Sequence, residues 1–194
     1  SYKTHPWIIK LGTLLGTLSN TGSSIVWVAI HMNHHRHADT DKDPHSPKHQ
    51  GLKTFALEYD LDTSRVKWKM KHLIGDPFHM FLHKYYFAVI ALWSLILYII
   101  GGFYLMVFLH WFPMIISGAM SNIVNYVGHK PNWWGGYRRY NTRDDSINNW
   151  LWAIPSWGET LHNNHHKRPY SYSHGEKWWE IDIGAYIVKL IKAR

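Results

Sequence analysis

The longest apolar run sits in the middle of the chain. From Tyr85 to Leu109 no side chain is formally charged, and after His110 the apolar character resumes through Trp111 to about Val127. At ~1.5 Å of rise per helical residue and a hydrocarbon thickness of ~30 Å, this stretch is long enough for two crossings of a bilayer rather than one. Gly101-Gly102 marks the turn between them. The pattern predicts a transmembrane helical hairpin over 84–127. Its first arm, roughly 83 to 100, is short and needs Lys84 and Tyr85–Tyr86 at the interface.

Around this run the pattern is shorter in period and more polar. Residues 7–18 are apolar but interrupted by two glycines and Lys10, too short to span, and read as an interfacial or re-entrant helix. Ile25–Ile30 leads into a first dense histidine group, and residues 39–49, with Pro44 and Pro47, read as a loop. Residues 52–83 mix apolar and basic positions, among them Trp68, Lys69, Lys71 and His72, and predict a cytosolic helical segment facing the membrane. Beyond the hairpin, Pro131–Asn148 is polar, and Trp150–His166 is a last helical region carrying a second histidine group. The tail Trp178–Ile191 is amphipathic and lies on the membrane or on the domain. The fold class expected is all-α: an integral-membrane helical hairpin with a cytosolic helical metal-binding domain, one unit over 1–194, with histidine-bearing regions at 25–49 and 129–170.

Composition sharpens this picture. The 194 residues carry a formal charge of +8 together with 12 Trp, 12 Tyr and 7 Phe. Basic charge with stacking rings is the footprint of a nucleic-acid binder, but such a domain has no use for the central apolar run, so no nucleic-acid partner is expected. A membrane protein explains both features, with Lys/Arg on the cytosolic side and Trp/Tyr at the interfaces. Cysteine is absent, which excludes disulfides, iron–sulfur clusters and thiolate-bound zinc. The opening residues Ser1–Pro6 do not have a signal-peptide pattern.

Sixteen histidines carry the chemistry. His31-x-x-His34-His35 and His162-x-x-His165-His166 repeat one H-x-x-H-H pattern. On a helix, positions i, i+3 and i+4 share a face, so each group aims three imidazoles at one point. Two facing groups supply more nitrogens than one tetrahedral zinc takes, which points to two ions; imidazole suits iron among other first-row metals. His129 is a seventh candidate and shares a helix face with Asn125. His37 and His45 read as loop residues or residues behind the ligands. His5, His49, His72, His79, His83, His110 and His174 read as surface, interfacial or packing residues. No H-E-x-x-H, P-loop or dinucleotide fingerprint is present.

At these residues the chain resembles the membrane fatty acyl desaturases, in particular the delta-9 type. The resemblance runs through His31–His35, Asp39–His45, Asn125–His129, Arg143–Ser146 and Trp157–His166. It implies a cytosol-facing metal domain on a four-helix membrane stem, of which this hairpin would be one part, holding two iron ions that zinc can replace in a purified sample. The implied ligands are His31, His34, His35, His129, His162, His165 and His166, with Asn125 a weak or water-mediated ligand. The resemblance also implies an earlier H-x(3–4)-H box and membrane hairpin ahead of residue 1. The family's usual Arg in the first box is Met32 here. An Arg-Asp pair that precedes the box in acyl-CoA enzymes is replaced by Ala29 and Ile30, which leans towards a lipid- or carrier-linked acyl chain over acyl-CoA.

The implied reaction is O2-dependent formation of a cis double bond. Related hydroxylases share the ligand pattern, and a metal-holding membrane protein without activity is the other alternative. Asp39, Asp43, Glu159 and Asn163 are expected to hold ring N–H groups, and Trp27, Trp150 and Trp157 to line an acyl tunnel. Ferredoxin or cytochrome b5 is the implied electron donor. Lys67, Lys69, Lys71, Arg138, Arg139, Lys167 and Arg168 would receive it, or simply mark the cytosolic face.

Overall fold

The structure, a computed structural model, describes residues 2–51, 67 and 69–193. Trp68 and most of the expected segment 52–83 lie outside the described residues. The rest of that segment holds two helices, α4 (Lys71–Ile74) and α5 (Pro77–Lys84). By its internal packing the chain divides into two compact units, one of residues 6–33 and 67–119, the other of residues 2–5, 34–51 and 120–193.

The first unit contains α1 (Pro6–Leu18), the start of α2 (Ser24–His37), α4, α5, α6 (Tyr86–Met106), a π-helical turn Val107–Trp111 and the start of α7 (Phe112–Gly128). Tyr86–Gly128 is long and apolar enough to cross a membrane. It is not one rod. Ser94 Oγ lies 2.9 Å from His110 Nδ1 and accepts from Trp111 Nε1 at 3.1 Å, whereas side chains so far apart on a straight helix would be separated by roughly 24 Å. The chain doubles back at Gly101 (φ −146°, ψ 18°) and Gly102 (φ 72°, ψ −167°). Gly102 occupies a region open essentially to glycine alone, and a Cβ at Gly101 would stand 2.6 Å from Leu105 Cδ2. The outer faces are apolar and aromatic, with Phe87 78% and Tyr104 76% exposed.

Polar side chains of α5, α6 and the π-turn clasp the loop between α1 and α2. His110 Nε2 meets the Leu18 carbonyl at 3.2 Å. Tyr86 Oη accepts from Gly22 N and donates to Asn20 Oδ1. His83 Nδ1 and His79 Nδ1 each meet a serine hydroxyl, Ser23 and Ser24, at 2.8 Å. These histidines therefore do specific packing, fixing the root of α2. Further along, α2 buries Ala29 against Met70, with Val28, Met32 and Ile74 around them.

The second unit holds α3 (Pro47–Gln50), the end of α7, a two-residue antiparallel ladder of β1 (Gly136–Tyr137) and β2 (Asn148–Asn149), α8 (His162–Lys167) and α9 (Ile183–Ile191). The helix expected over Trp150–His166 is shorter than the pattern implies: only α8 is helical, and residues 151–160 form successive turns. Pro155 has no N–H to give, and Trp157 (φ 59°) and Gly158 (φ 99°) are left-handed, so the helix cannot extend backwards.

A buried carboxylate organises this unit. Glu180 accepts from Arg139 Nη2 at 2.7 Å, from Tyr137 Oη, from Asn164 Nδ2, and from the backbone N–H groups of Glu176 and Lys177. Removing one partner of such a pair strands the other charge. Glu180→Ala should lower unfolding stability by about 3–5 kcal/mol, read by denaturant unfolding in detergent; a loss below about 1 kcal/mol would show that the network is not structural.

Candidate metal centre

Four imidazoles converge in the second unit. His34 Nε2 lies 3.0 Å from His129 Nε2 and 3.3 Å from His166 Nε2. His166 Nε2 is 3.2 Å from His129 Nε2 and 3.1 Å from His162 Nε2. The opposite nitrogen of each ring faces an acceptor. His34 Nδ1 meets both oxygens of Asp43 at 3.0 Å, His129 Nδ1 meets Asp39 Oδ2 at 2.7 Å, and His166 Nδ1 meets Asp144 Oδ2 at 2.9 Å. His162 Nδ1 faces the Glu159 carbonyl at 3.3 Å. Carboxylates and carbonyls only accept, so every Nδ1 carries the proton and every Nε2 presents a lone pair to the others.

Such a ring of lone pairs is repulsive unless a cation sits among them. At metal–nitrogen distances of ~2.0–2.1 Å, neighbouring ligand nitrogens are about 2.9–3.4 Å apart, the spacing found here. The donor set therefore fits a metal ion. His35 Nε2 and His165 Nε2 make a second convergence at 2.8 Å, adjoining the first, since the His35 and His166 ring centres are 4.4 Å apart. His31 stands one turn ahead of His35 on α2, its ring stacked on Trp27 at 4.6 Å.

Electrostatics agree with neutral, ligating rings. Burial, followed by the neighbouring imidazoles, holds His34 and His162 well below the ordinary histidine range. Burial also lowers His166, against the pull of Asp144. For Asp144 burial pushes upward, but hydrogen bonds from His166, Ser146 and Thr142 outweigh it and keep the carboxyl ionised. Asp39 is likewise lowered, because His129 and the Asp145 N–H overcome its burial. Burial pushes Asp43 up to about 6, against the N–H groups of Asp39 and His45.

Of the residues expected behind the ligands, Asp39 and Asp43 hold ring N–H groups. Asn163 and Glu159 are placed otherwise. Asn163 accepts from the backbone N–H groups of Arg139 and Tyr140 and donates to Tyr140 O, Thr142 Oγ1 and Ser146 Oγ, so it staples the 139–146 loop. The Glu159 carboxylate faces solvent, 4.0 Å from His174 Nδ1, and only its carbonyl serves a ligand. Asp144 has the role expected of Asn163. It stands in the Arg143–Ser146 stretch that the sequence singled out as a motif but left without a role. Asn125 Nδ2 donates to the His45 carbonyl at 2.5 Å, and its Oδ1 is buried with no hydrogen-bond partner among the described residues, a spare acceptor suited to a water or ion. Trp27, Trp150 and Trp157 are each about half exposed. Arg139 is consumed by Glu176 and Glu180, and Arg138 by the carbonyls of Thr142, Asp144 and Ser146.

The family model described as fatty acid desaturase matches residues 1–185. The chain belongs to the fatty acid desaturase family. It is 37% identical, over 99% of its length, to an sn-1 stearoyl-lipid 9-desaturase of Anabaena variabilis, of which it covers 70%. It is 33% identical to a probable chloroplastic lipid desaturase of Arabidopsis thaliana, over the whole of this chain and 54% of that protein. An acyl-CoA C20 delta-5 desaturase of Anemone leveillei is also 33% identical, over 99% of this chain and 62% of its own. The chain thus spans little more than half to 70% of these relatives. Membership of this family and the histidine clusters both fit metal binding.

Two measurements follow. Asp144→Asn should weaken metal binding about 10–100-fold, because a ligand's outer partner sets its tautomer and basicity; competition with a chelator reads this, and Glu159→Gln should stay within about twofold. In the metal-free protein, His34, His162 and His166 have folded pKa values below the unfolded value of ~6.5. Below that pH the unfolded chain takes up protons the folded one resists. Stability should therefore fall with decreasing pH from about 6.5 downward, by up to ~1.4 kcal/mol per pH unit for each ring. Asp43 opposes this between its ordinary range and about 6, as one group against three. Flat stability from pH 7 to 5 would overturn the assignment of neutral buried rings.

Proposed function

We propose that the protein is an O2-dependent fatty acyl desaturase that forms a cis double bond, at the delta-9 position, in a lipid-linked acyl chain. The observation that carries this is the ring of four Nε2 lone pairs backed by three aspartates, adjoining a second histidine pair, in a chain of the desaturase family. Two iron ions would be held by His31, His34, His35, His129, His162, His165 and His166, with Asn125 reaching one of them through water. When bound, such a centre supplies the oxidising power to remove hydrogen from unactivated C–H bonds, which no acid–base residue can do. Overall, O2, two electrons and two protons convert adjacent methylenes into an alkene and two waters.

The chain's own residues do the remaining tasks. Asp39, Asp43 and Asp144 hold the protons of His129, His34 and His166 at Nδ1 so that the Nε2 lone pairs point towards the metal position. The turns that precede α8 keep Trp150 and Trp157 exposed, where the rings can line an acyl path and exclude water; Trp27, on α2, is assigned the same role. Ala29 and Ile30 leave no fixed cation for a CoA phosphate, and the Anabaena variabilis relative is a lipid desaturase by name, which supports a lipid-linked substrate. The exposed apolar faces of Tyr86–Gly128 support a bilayer-spanning hairpin, with the metal site on the cytosolic side and electrons arriving from ferredoxin or cytochrome b5.

The native protein expressed in a desaturase-deficient host should yield a new cis monoene in membrane lipids, seen by gas chromatography of the released acyl chains. His166→Ala should reduce it by at least about 100-fold. A hydroxylated product, or no product from membranes carrying two irons per chain, would sink the desaturase reading.

A further inference from the structure

The helix α9 is fixed at both ends and open along its length. At its start Asp182 accepts from Ala185 N at 2.8 Å and from His174 N and Gly175 N, and Gly184 N donates to the Trp157 carbonyl at 2.9 Å. At its end Thr4 Oγ1 donates to the Ile191 carbonyl and Ala193 N donates to Lys3 O at 2.7 Å. The helix is therefore held in one orientation rather than fraying. Gly184, Ala185, Val188 and Ile191 are half-buried. Tyr186, Ile187 and Leu190 are turned out, Leu190 to 84% and Tyr186 to 63%, and Trp178 just before the helix is 94% exposed.

Charge in this segment is sorted by side. The acids are all spent inward: Glu176 on Arg139 and Tyr140, Glu180 on Arg139, Tyr137 and Asn164, and Asp182 on the helix start. The cations Lys177, Lys189 and Lys192 are exposed, with Lys192 Nζ over the Tyr172 ring. A rigid helix that offers aromatic and aliphatic side chains flanked by lysines, with the carboxylates of its own segment, Glu176, Glu180 and Asp182, withdrawn, has the composition of an interfacial membrane element.

We propose that the Tyr186–Leu190 face of α9 docks in the interface of a bilayer bearing anionic headgroups. The apolar side chains enter the acyl boundary, and Lys189 and Lys192 pair with lipid phosphates. This rests on the membrane part of the function proposed above, and its test needs neither metal nor turnover, so its failure and the failure of that reading are separable.

The chain contains no cysteine, so Leu190→Cys gives a single site for an environment-sensitive fluorophore, with exposed Asp41→Cys as the water-facing control. The full protein is reconstituted in phosphatidylcholine vesicles with or without phosphatidylglycerol. Nitroxide-bearing lipids should quench the label at 190 and aqueous iodide should not, with the reverse at 41. Omitting phosphatidylglycerol, or adding K189Q and K192Q, should shift the label towards iodide by roughly fivefold for each lysine lost. Iodide quenching at 190 equal to that at 41 overturns the proposal. So does a label reached by neither quencher, which would mean that protein, a second copy included, covers the face, and so does a response indifferent to phosphatidylglycerol. Tyr186→Cys repeats the reading on the same face should Leu190→Cys fail to fold.

Discussion

Four converging imidazole lone pairs, each 3.0–3.3 Å from at least one other, are the constraint on which the histidine-bearing unit is built. Left to themselves the rings would turn away, because nothing on the protein side attracts the Nε2 atoms to each other. They are held from behind, where each Nδ1 proton is fixed by an acceptor. Those acceptors are fixed in turn: Asp39 by Asp145 N and Ser46 Oγ, Asp43 by Asp39 N and His45 N, and Asp144 by Ser146 N and Thr142 Oγ1. The rings thus have their tautomer and orientation set from the protein side, and a bound cation would supply the attraction that the front lacks.

This explains why the interior around the site is so polar. Asn148, Asn149, Asn163, Asn164, Thr160, Ser46 and Ser146 are all buried, a composition that would be costly in an ordinary core. Here each is satisfied. Asn148 and Asn164 exchange two bonds, Asn149 accepts from Leu151 N and Trp152 N, and Thr160 Oγ1 donates to the Asn149 carbonyl. An apolar core tolerates small slides of its side chains, whereas a saturated hydrogen-bond network does not. A centre whose ligand nitrogens must be placed to within a fraction of an ångström needs the second kind.

The clustered histidines were legible in the sequence because H-x-x-H-H is a local pattern, but the three rings of each group do not meet at one point: His34 joins His129, His162 and His166, whereas its neighbour His35 meets His165. The turn at Gly101-Gly102 was legible as a local pattern too: a glycine pair is conspicuous in an apolar run. What stayed hidden depends on chain return. Asp144 reaches His166 across 22 positions and Glu180 reaches Arg139 across 41, and no periodicity announces either. The helix expected from Trp150 onward failed because the apolar and histidine pattern there is helical in period, while Pro155 and the left-handed pair Trp157-Gly158 forbid the backbone. Asn163 stands beside His162 in sequence, yet its amide faces the 139–146 loop and not the histidine cluster.

The two histidine boxes are held differently. Both carry the H-x-x-H-H pattern, but the residues between the histidines differ in what they face. In α2, Met32 packs beside Ala29 and Met70, and Asn33 Nδ2 donates to the Ala29 carbonyl of its own helix; this box is anchored by apolar contact and by α2 itself. In α8, Asn163 secures the loop bearing Asp144, and Asn164 reaches the His174 carbonyl and Glu180. The helix is only six residues long, too short to be stable by its own hydrogen bonds, so its orientation comes from tertiary bonds, those of the two asparagine side chains prominent among them. The first box is positioned by a helix and the second by its asparagines, which is why a pattern shared by both could reveal the ligands but not what holds them.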